Sequence, residues 1–225
     1  MELFFLPQRC LVCGEPHPGR LCRSCLARFQ PDSPPNQGLG RCQICGQVLL
    51  AEAGRCTDCS VQEWSFPEVD GLYGYQDPGG ELLRLYKFGG QAELAEIWAE
   101  SAAPRLHPPG PIVPVPPLRQ NLWRRGWDPV ATFSRALGKA ARVPVWTVLT
   151  RRPSASQKIL DRPGRQQNAR RAYSLAGFRG RRVRGTPLVW LIDDVVTTGA
   201  TVEACSRLLR EAGAKEVRVF CLGLH

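Results

Sequence analysis

The sequence predicts an α/β fold, a parallel β-sheet flanked by helices, behind an N-terminal cysteine-rich metal module. Three observations carry this. Eight of the ten cysteines fall in four Cys-x-x-Cys pairs within the first 60 residues. Beyond about Phe66, β-type and helical runs alternate with short links, the pattern of strand–helix–strand units. Residues 188–192 are five consecutive apolar residues, which suits a strand covered on both faces. The boundary falls near residue 65, so 1–65 form the metal module and 66–225 the α/β domain. At 225 residues the chain is long enough for one good core and a small addition.

The module rests on Cys10/Cys13, Cys22/Cys25, Cys42/Cys45 and Cys56/Cys59. Two such knuckles place four thiolates tetrahedrally around Zn2+, so four predict two structural zinc ions. Gly14 and Gly46 directly follow a knuckle, where a tight turn brings backbone N–H groups to sulfur. An iron–sulfur cluster also fits the cysteine count. Disulfides need an oxidising compartment, and nothing here suggests secretion. Redox chemistry does not need four copies of the motif. Two pairings are open. A sequential one gives Cys10, Cys13, Cys22 and Cys25 one ion and Cys42, Cys45, Cys56 and Cys59 the other; a cross-braced one interleaves them. The Pro-, Asn- and Gly-rich stretch 31–40 reads as a linker and favours the sequential scheme. Cys205 and Cys221 read as small buried hydrophobes.

In the domain, 69–76 alternates Val, Leu, Tyr and Tyr with smaller or polar residues and predicts a strand. Asp77-Pro78-Gly79-Gly80 predicts a turn. Residues 81–88 form a short helical run with Leu82, Leu83, Leu85 and Tyr86, broken by Gly89-Gly90. Residues 92–103 predict a helix with Leu94, Ile97 and Trp98 on one face. A strand over 111–115 ends at Pro116-Pro117. Residues 118–125 are polar and basic and carry no predicted element. Residues 127–142 predict a helix with Pro129 in its first turn and Val130, Phe133, Leu137 and Ala141 facing in. A strand over 143–149 follows. The Pro and Gly content of the next segment argues against long regular elements. A strand over 187–194 leads into a helix with Val202, Cys205, Leu208, Leu209 and Ala212 at helical spacing, which Gly213 terminates. Residues 216–222 form the last strand. Such sheets bind ligands beyond the carboxyl ends of their strands, where Pro116, Arg151 and Asp193 all fall.

Charge narrows the ligand. The formal net charge is +10, and residues 151–184 carry all of it, with eleven Lys/Arg residues and the single acid Asp161. A concentrated basic segment implies a polyanionic partner, a sugar phosphate or a nucleic acid. Arg151, Arg152, Arg165, Arg170, Arg171, Arg181 and Arg182 are the candidates for nucleic-acid contact. Trp123 or Trp127 can stack on bases if exposed; the alternative is that both are core. No apolar run approaches the roughly 20 residues that span a bilayer. The start lacks the basic region of a signal peptide. A cytoplasmic protein without membrane insertion is expected.

Residues 188–201 say the most. The apolar strand ends in two adjacent carboxylates, Asp193 and Asp194. Val195, Val196, Thr197, Thr198, Gly199, Ala200 and Thr201 then lead into a helix. Backbone N–H groups in such a loop, with a helix N-terminus behind them, bind phosphate. Thr197, Thr198 and Thr201 add hydroxyls, and the carboxylates can hold sugar hydroxyls or Mg2+. The segment resembles the phosphoribosyl pyrophosphate (PRPP) loop of type I phosphoribosyltransferases. That resemblance implies a phosphoribosyltransferase type I-like sheet. It implies that Asp193 and Asp194 hold the ribose hydroxyls as the catalytic pair. The loop from Val195 to Thr201 then holds the 5′ phosphate, with Mg2+ accompanying PRPP.

With a double zinc ribbon in front, the chain resembles the ComF family of competence-associated proteins over nearly its whole length. Tyr86-Lys87-Phe88-Gly89 is similar to the family's Lys-Phe-x-Gly element. Val113-Pro114-Val115-Pro116, Arg119 and Arg125-Gly126-Trp127 also match. So do Gln157, Arg165 and Asn168, similar to its Gln…Arg-x-x-Asn pattern. The resemblance places Lys87, Val115 and Pro116 in the PRPP site. Asp128 departs from the usual Asn, and Tyr173 stands where Phe is frequent. The implied role is handling of single-stranded DNA during natural transformation, with PRPP, single-stranded DNA and other competence proteins as partners. The other reading is a metabolic enzyme that transfers ribose 5-phosphate from PRPP to a nitrogen nucleophile. The ribbons and the basic segment favour the first, and the intact loop keeps the second open.

Overall fold

The computed structural model describes residues 8–28, 40–49, 54–74, 78–152 and 171–224. In chain order it forms α1 (Arg23–Arg28), α2 (Thr57–Ser60), β1 (Val69–Gly74), α3 (Pro78–Phe88), α4 (Leu94–Ala102) and β2 (Ile112–Pro114). These are followed by α5 (Arg119–Arg125), α6 (Pro129–Ala141), β3 (Leu149–Arg151), β4 (Tyr173–Leu175) and α7 (Gly177–Gly180). β5 (Val189–Val196), α8 (Ala200–Glu211) and β6 (Val217–Leu224) complete it.

The expected parallel sheet is present, in the order β1-β6-β5-β2. β5 and β6 form its centre, in register from Val189↔Val217 to Val196↔Leu224. Alternate residues of β5 face opposite sides. Val189 and Leu191 join one apolar cluster, and Trp190 and Ile192 the other. Both faces are therefore covered, as the unbroken apolar run requires. Leu82, Leu83 and Tyr86 of α3, Trp98 of α4, and Phe133 and Leu137 of α6 cover one face. Val202, Cys205 and Leu209 of α8 cover the other, with the β3–β4 hairpin and the second ribbon. The two ribbons thus lie on opposite faces: Cys10, Cys22 and Cys25 share the α3–α4–α6 cluster, and Cys42, Cys45, Cys56 and Cys59 share the α8 cluster.

Three elements differ from expectation. Pro78-Gly79-Gly80 is the first turn of α3, not a free turn. Pro suits a helix start, and Gly79 packs on the Tyr73 ring so closely that a Cβ would overlap it. Residues 119–125 form α5, which buries none of its residues and so has no apolar stripe for periodicity to detect. The strand expected over 143–149 is reduced to a single bridge, Ile112↔Val145. Pro144 offers its carbonyl to Ile112 but has no N–H to extend the ladder. The chain then leaves the sheet, and Leu149–Arg151 pairs antiparallel with Tyr173–Leu175. Cys205 and Cys221 are fully buried, as expected.

Candidate functional site

A cavity of about 230 Å3 opens at the carboxyl ends of β2 and β5. Asp193, Asp194 and Val195 come from β5, Val115 and Pro116 from the end of β2, and Lys87 from the last turn of α3. Arg151 and Tyr173 enter from the β3–β4 hairpin, and Thr201 from α8. Pro116, Arg151 and Asp193 therefore meet in one pocket although they are distant in sequence. A smaller adjoining cavity of about 40 Å3 is lined by Asp193 and Val195 to Val202, and contains Val196, Thr197, Thr198, Gly199 and Ala200.

The two carboxylates differ. Asp194 pairs with the Lys87 ammonium at 2.8 Å, with both side chains largely buried. Asp193 is buried, and one of its oxygens accepts the Asp194 backbone N–H at 2.8 Å. Burial, and then the Asp194 charge, push Asp193 up to about 8. Without a ligand it holds its proton at neutral pH. A sugar diol or a divalent cation favours the carboxylate and displaces that proton.

The loop after β5 is shaped from both sides. Gly199 has φ +75°, a left-handed conformation. A Cβ at Gly199 would come within 2.8 Å of the Trp64 ring and 3.2 Å of Ile44, both from the second ribbon. Gly199, at the N-cap of α8, brings no side-chain acceptor; Thr198 Oγ1 accepts the Ala200 N–H at 3.5 Å, and 197–202 line the smaller cavity. One turn on, Glu203 is buried and accepts two hydrogen bonds from Ser65, from its backbone N–H and its hydroxyl, each at 2.8 Å. A charged acceptor with two donors is a strong tie. It clamps the end of the second ribbon to the first turn of the loop's helix. The sequence offered no signal for this clamp, because Ser65 and Glu203 are 138 residues apart.

The thiols fall into two groups, Cys10/Cys13/Cys22/Cys25 and Cys42/Cys45/Cys56/Cys59, with all sulfurs of a group within 4.8 Å of one another. This is the sequential pairing. A tetrahedral site with Zn–S near 2.3 Å needs sulfurs about 3.8 Å apart. Cys13 and Cys22 lie at 3.7 Å and Cys45 and Cys56 at 3.8 Å. Burial and the neighbouring thiolates push Cys45 up to about 11 and Cys59 higher still. Four thiolates coexist there only with a cation among them. Both groups fit a structural zinc ion.

The basic candidates separate. Arg151 lines the pocket, with its guanidinium 5.0 Å from the centroid of the Tyr173 ring. Arg152, Arg171, Arg181 and Arg182 are exposed. Arg181 lies over the Phe178 ring and Arg182 over Trp146, each at 5.3 Å. Arg165 and Arg170 lie outside the described residues, as do Gln157 and Asn168. The tryptophans divide too. Trp123 is 85% exposed, whereas Trp127 packs edge-on against Tyr86 at 4.8 Å. Asn121, Arg125 and Asp128 also reach the pocket. Asp128 caps α6 by accepting the Ala131 N–H at 3.0 Å, work that Asn does equally well. Asp128-Pro129 is itself a helix-start signal, and it could have fixed this boundary from sequence.

No family model matches the chain. It is 31% identical over 236 residues to competence protein F of Haemophilus influenzae, covering 97% of each chain. It is 27% identical to the DNA utilization protein YhgH of Escherichia coli K12, covering 96% of this chain and 97% of that one. It is 26% identical to competence protein ComFC of Streptococcus pneumoniae, covering 90% and 86%. Among solved structures, a glutamine PRPP amidotransferase from B. subtilis aligns with TM-score 0.44 at 18% identity, over 62% of this chain and 30% of that one. No described helix is long and apolar enough to cross a membrane.

Proposed function

Because the chain belongs to the competence protein F family, we propose that it handles single-stranded DNA in the cytoplasm during natural transformation and binds PRPP in the β5–α8 pocket. One observation supports the PRPP site most. Asp193 and Asp194 meet Lys87 and Arg151 in one cavity at the carboxyl end of a parallel sheet, and the hydroxyl-rich loop that opens α8 lines the smaller cavity beside it. Asp193 and Asp194 hold the ribose 2′ and 3′ hydroxyls. The N–H groups of 197–201, with Thr198 and Thr201, hold the 5′ phosphate. Lys87 and Arg151 offset the ligand's charge, and Val115 and Pro116 wall the cavity. When bound, Mg2+ neutralises part of the pyrophosphate charge. Each ribbon, held by its own ion, packs against a different face of the sheet.

DNA binding uses the exposed side chains: Arg152, Arg171, Arg181 and Arg182, with Trp123 and Phe178 as stacking surfaces. Phe178 is 81% exposed, and base stacking on an aromatic contributes about 1–3 kcal/mol. Arg151 belongs to the sugar-phosphate pocket in this reading. Other competence proteins are partners through the family role. The second reading, a metabolic transferase with a nitrogen acceptor, draws on the same pair of acids.

Calorimetric titration of the zinc-loaded chain with PRPP and Mg2+ tests the site. Asp194→Ala should weaken binding by roughly 1.5–3 kcal/mol, the range for a charge-assisted hydrogen bond. No PRPP binding to the folded chain would leave the loop without its ligand. For DNA, the logarithm of affinity should fall with that of salt by about 0.7 per phosphate contact. Replacing Arg181 and Arg182 with Ala should flatten that slope. PRPP turnover with small amines or bases, unaffected by DNA, would favour the metabolic reading.

A further inference from the structure

The pocket wall holds two buried donors, Tyr173 Oη and Arg151 Nε, with no acceptor among the described residues. Tyr173 opens β4 and is 4% exposed. Its hydroxyl is buried, lines the cavity and has no hydrogen-bond partner among the described residues. Thr201 influences it from the same cavity but closes no hydrogen bond with it. Across the hairpin, Arg151 is the direct partner of Tyr173 in the β-ladder. Its Nε is also buried and without a partner among the described residues, and its guanidinium stacks on the tyrosine ring. Buried polar groups are almost always satisfied in native structures, so two adjacent exceptions in one cavity need an explanation.

The surroundings restrict what can satisfy them. Burial pushes the Tyr173 phenol well above its ordinary value, so it is a protonated donor at neutral pH. Arg151 has only donors. Neither carboxylate closes a hydrogen bond with them: Asp194 pairs with Lys87, and Asp193 accepts the Asp194 N–H. The missing partner is therefore an acceptor that the ligand brings, and with a guanidinium beside the phenol an anionic oxygen fits best.

We propose that Tyr173 and Arg151 form a paired donor site that grips a phosphate oxygen of the bound sugar phosphate, with Tyr173 setting affinity. This rests on the PRPP reading and extends it to a wall of the pocket outside the loop.

The test compares the full, zinc-loaded wild-type chain with Tyr173→Phe in two measurements, calorimetric titration with PRPP and Mg2+ and thermal unfolding without ligand. The variant should bind PRPP about tenfold more weakly, from loss of one hydrogen bond to a charged group. Its ligand-free melting temperature should be unchanged or raised, because the deleted hydroxyl was buried without a partner. Opposite or independent movement of the two readouts is the signature of a ligand contact. An unchanged affinity overturns the proposal, and so does a parallel fall in affinity and melting temperature, which marks a packing role. Failure of the wild-type chain to bind PRPP removes both this proposal and the reading beneath it. Wild-type binding with an unchanged variant removes this one alone.

Discussion

In the first ribbon Cys13 is exposed, and the polar contacts to the helices run from Arg20 to Glu93 and Glu96, among side chains 44–62% exposed. In the second ribbon all four cysteines are buried, Ile44 and Trp64 press on Gly199, and Ser65 is tied to Glu203. Both ribbons use the same local device. A short antiparallel bridge, Arg9↔Pro16 or Arg41↔Val48, closes each first knuckle, and Gly14 or Gly46 turns it with positive φ. The difference lies in what each ribbon leans on. Exposed ion pairs such as those of Arg20 contribute about 0–1 kcal/mol, so the first ribbon is held mainly by the apolar contacts of Cys10, Cys22 and Cys25. The second ribbon packs against the loop between β5 and α8. Identical motifs can therefore differ in consequence: one ion holds a local fold, and the other also holds the site.

Breaking the two ribbons separately should give the largest contrast. Cys45→Ser removes one ligand of the second group and Cys13→Ser one of the first. Each should lower the bound zinc from two ions toward one by metal analysis, since structural zinc sites need their full ligand set. PRPP binding should be lost in Cys45→Ser, because Trp64 and Ile44 no longer support Gly199. In Cys13→Ser it should stay within about twofold, as expected for distant, independent sites. Equal losses in both variants would show that the two ribbons stabilise the domain in the same way.

A second contrast comes from proton uptake at the site beside the second ribbon. Asp193 has an ordinary value of 3.8 and sits at about 8 in the folded chain. Its folded pKa is raised, so proton binding favours the folded state. That contribution is full below about pH 4 and is lost as pH rises through 8. Stability of the ligand-free chain should therefore fall over this window relative to Asp193→Asn, whose side chain does not titrate. Ribose hydroxyls need the carboxylate as acceptor, so PRPP binding releases a proton and should strengthen from pH 6 to 8 by up to about tenfold per unit. Calorimetry in buffers of different ionisation enthalpy reads the proton directly. Cys13→Ser should keep this profile unchanged.

How much of this was legible in the sequence follows from the range of the interactions. The knuckles, the 188–192 strand and the acid–acid–hydroxyl loop are contiguous, and each carries its own chemistry in a few residues. The sheet and its covering helices were readable because Val130, Phe133 and Leu137, or Val202, Cys205 and Leu209, repeat at helical spacing. What was missed depends on tertiary contact. α5 has no buried face, and Leu149–Arg151 finds its partner 24 residues away in Tyr173–Leu175. Arg151 was expected beside Pro116 and Asp193 at the strand ends and does line their pocket, but it arrives from the β3–β4 hairpin and not from a strand of the main sheet. Tyr173 looked like a harmless exchange for Phe, because packing is indifferent to a hydroxyl whose partner is the ligand.

The smallest expected effect isolates the clamp between the second ribbon and the loop. Glu203→Ala leaves the Ser65 N–H and hydroxyl without their acceptor, while every zinc ligand remains. Loss of a buried acceptor costs roughly 1–3 kcal/mol, so melting should shift by several degrees and zinc content should remain at two ions per chain. Glu203 lies in the first turn of α8, and its own N–H donates to the Gly199 carbonyl at 2.8 Å. Freed from Ser65, that turn should move more easily, and PRPP affinity should drop a few-fold. Glu203→Gln keeps an acceptor oxygen for Ser65 and should recover most of both effects. If Glu203→Ala weakens the fold yet leaves PRPP affinity intact, the ribbon supports the loop through Trp64 and Ile44 alone, and packing rather than the hydrogen-bonded clamp distinguishes the second ribbon from the first.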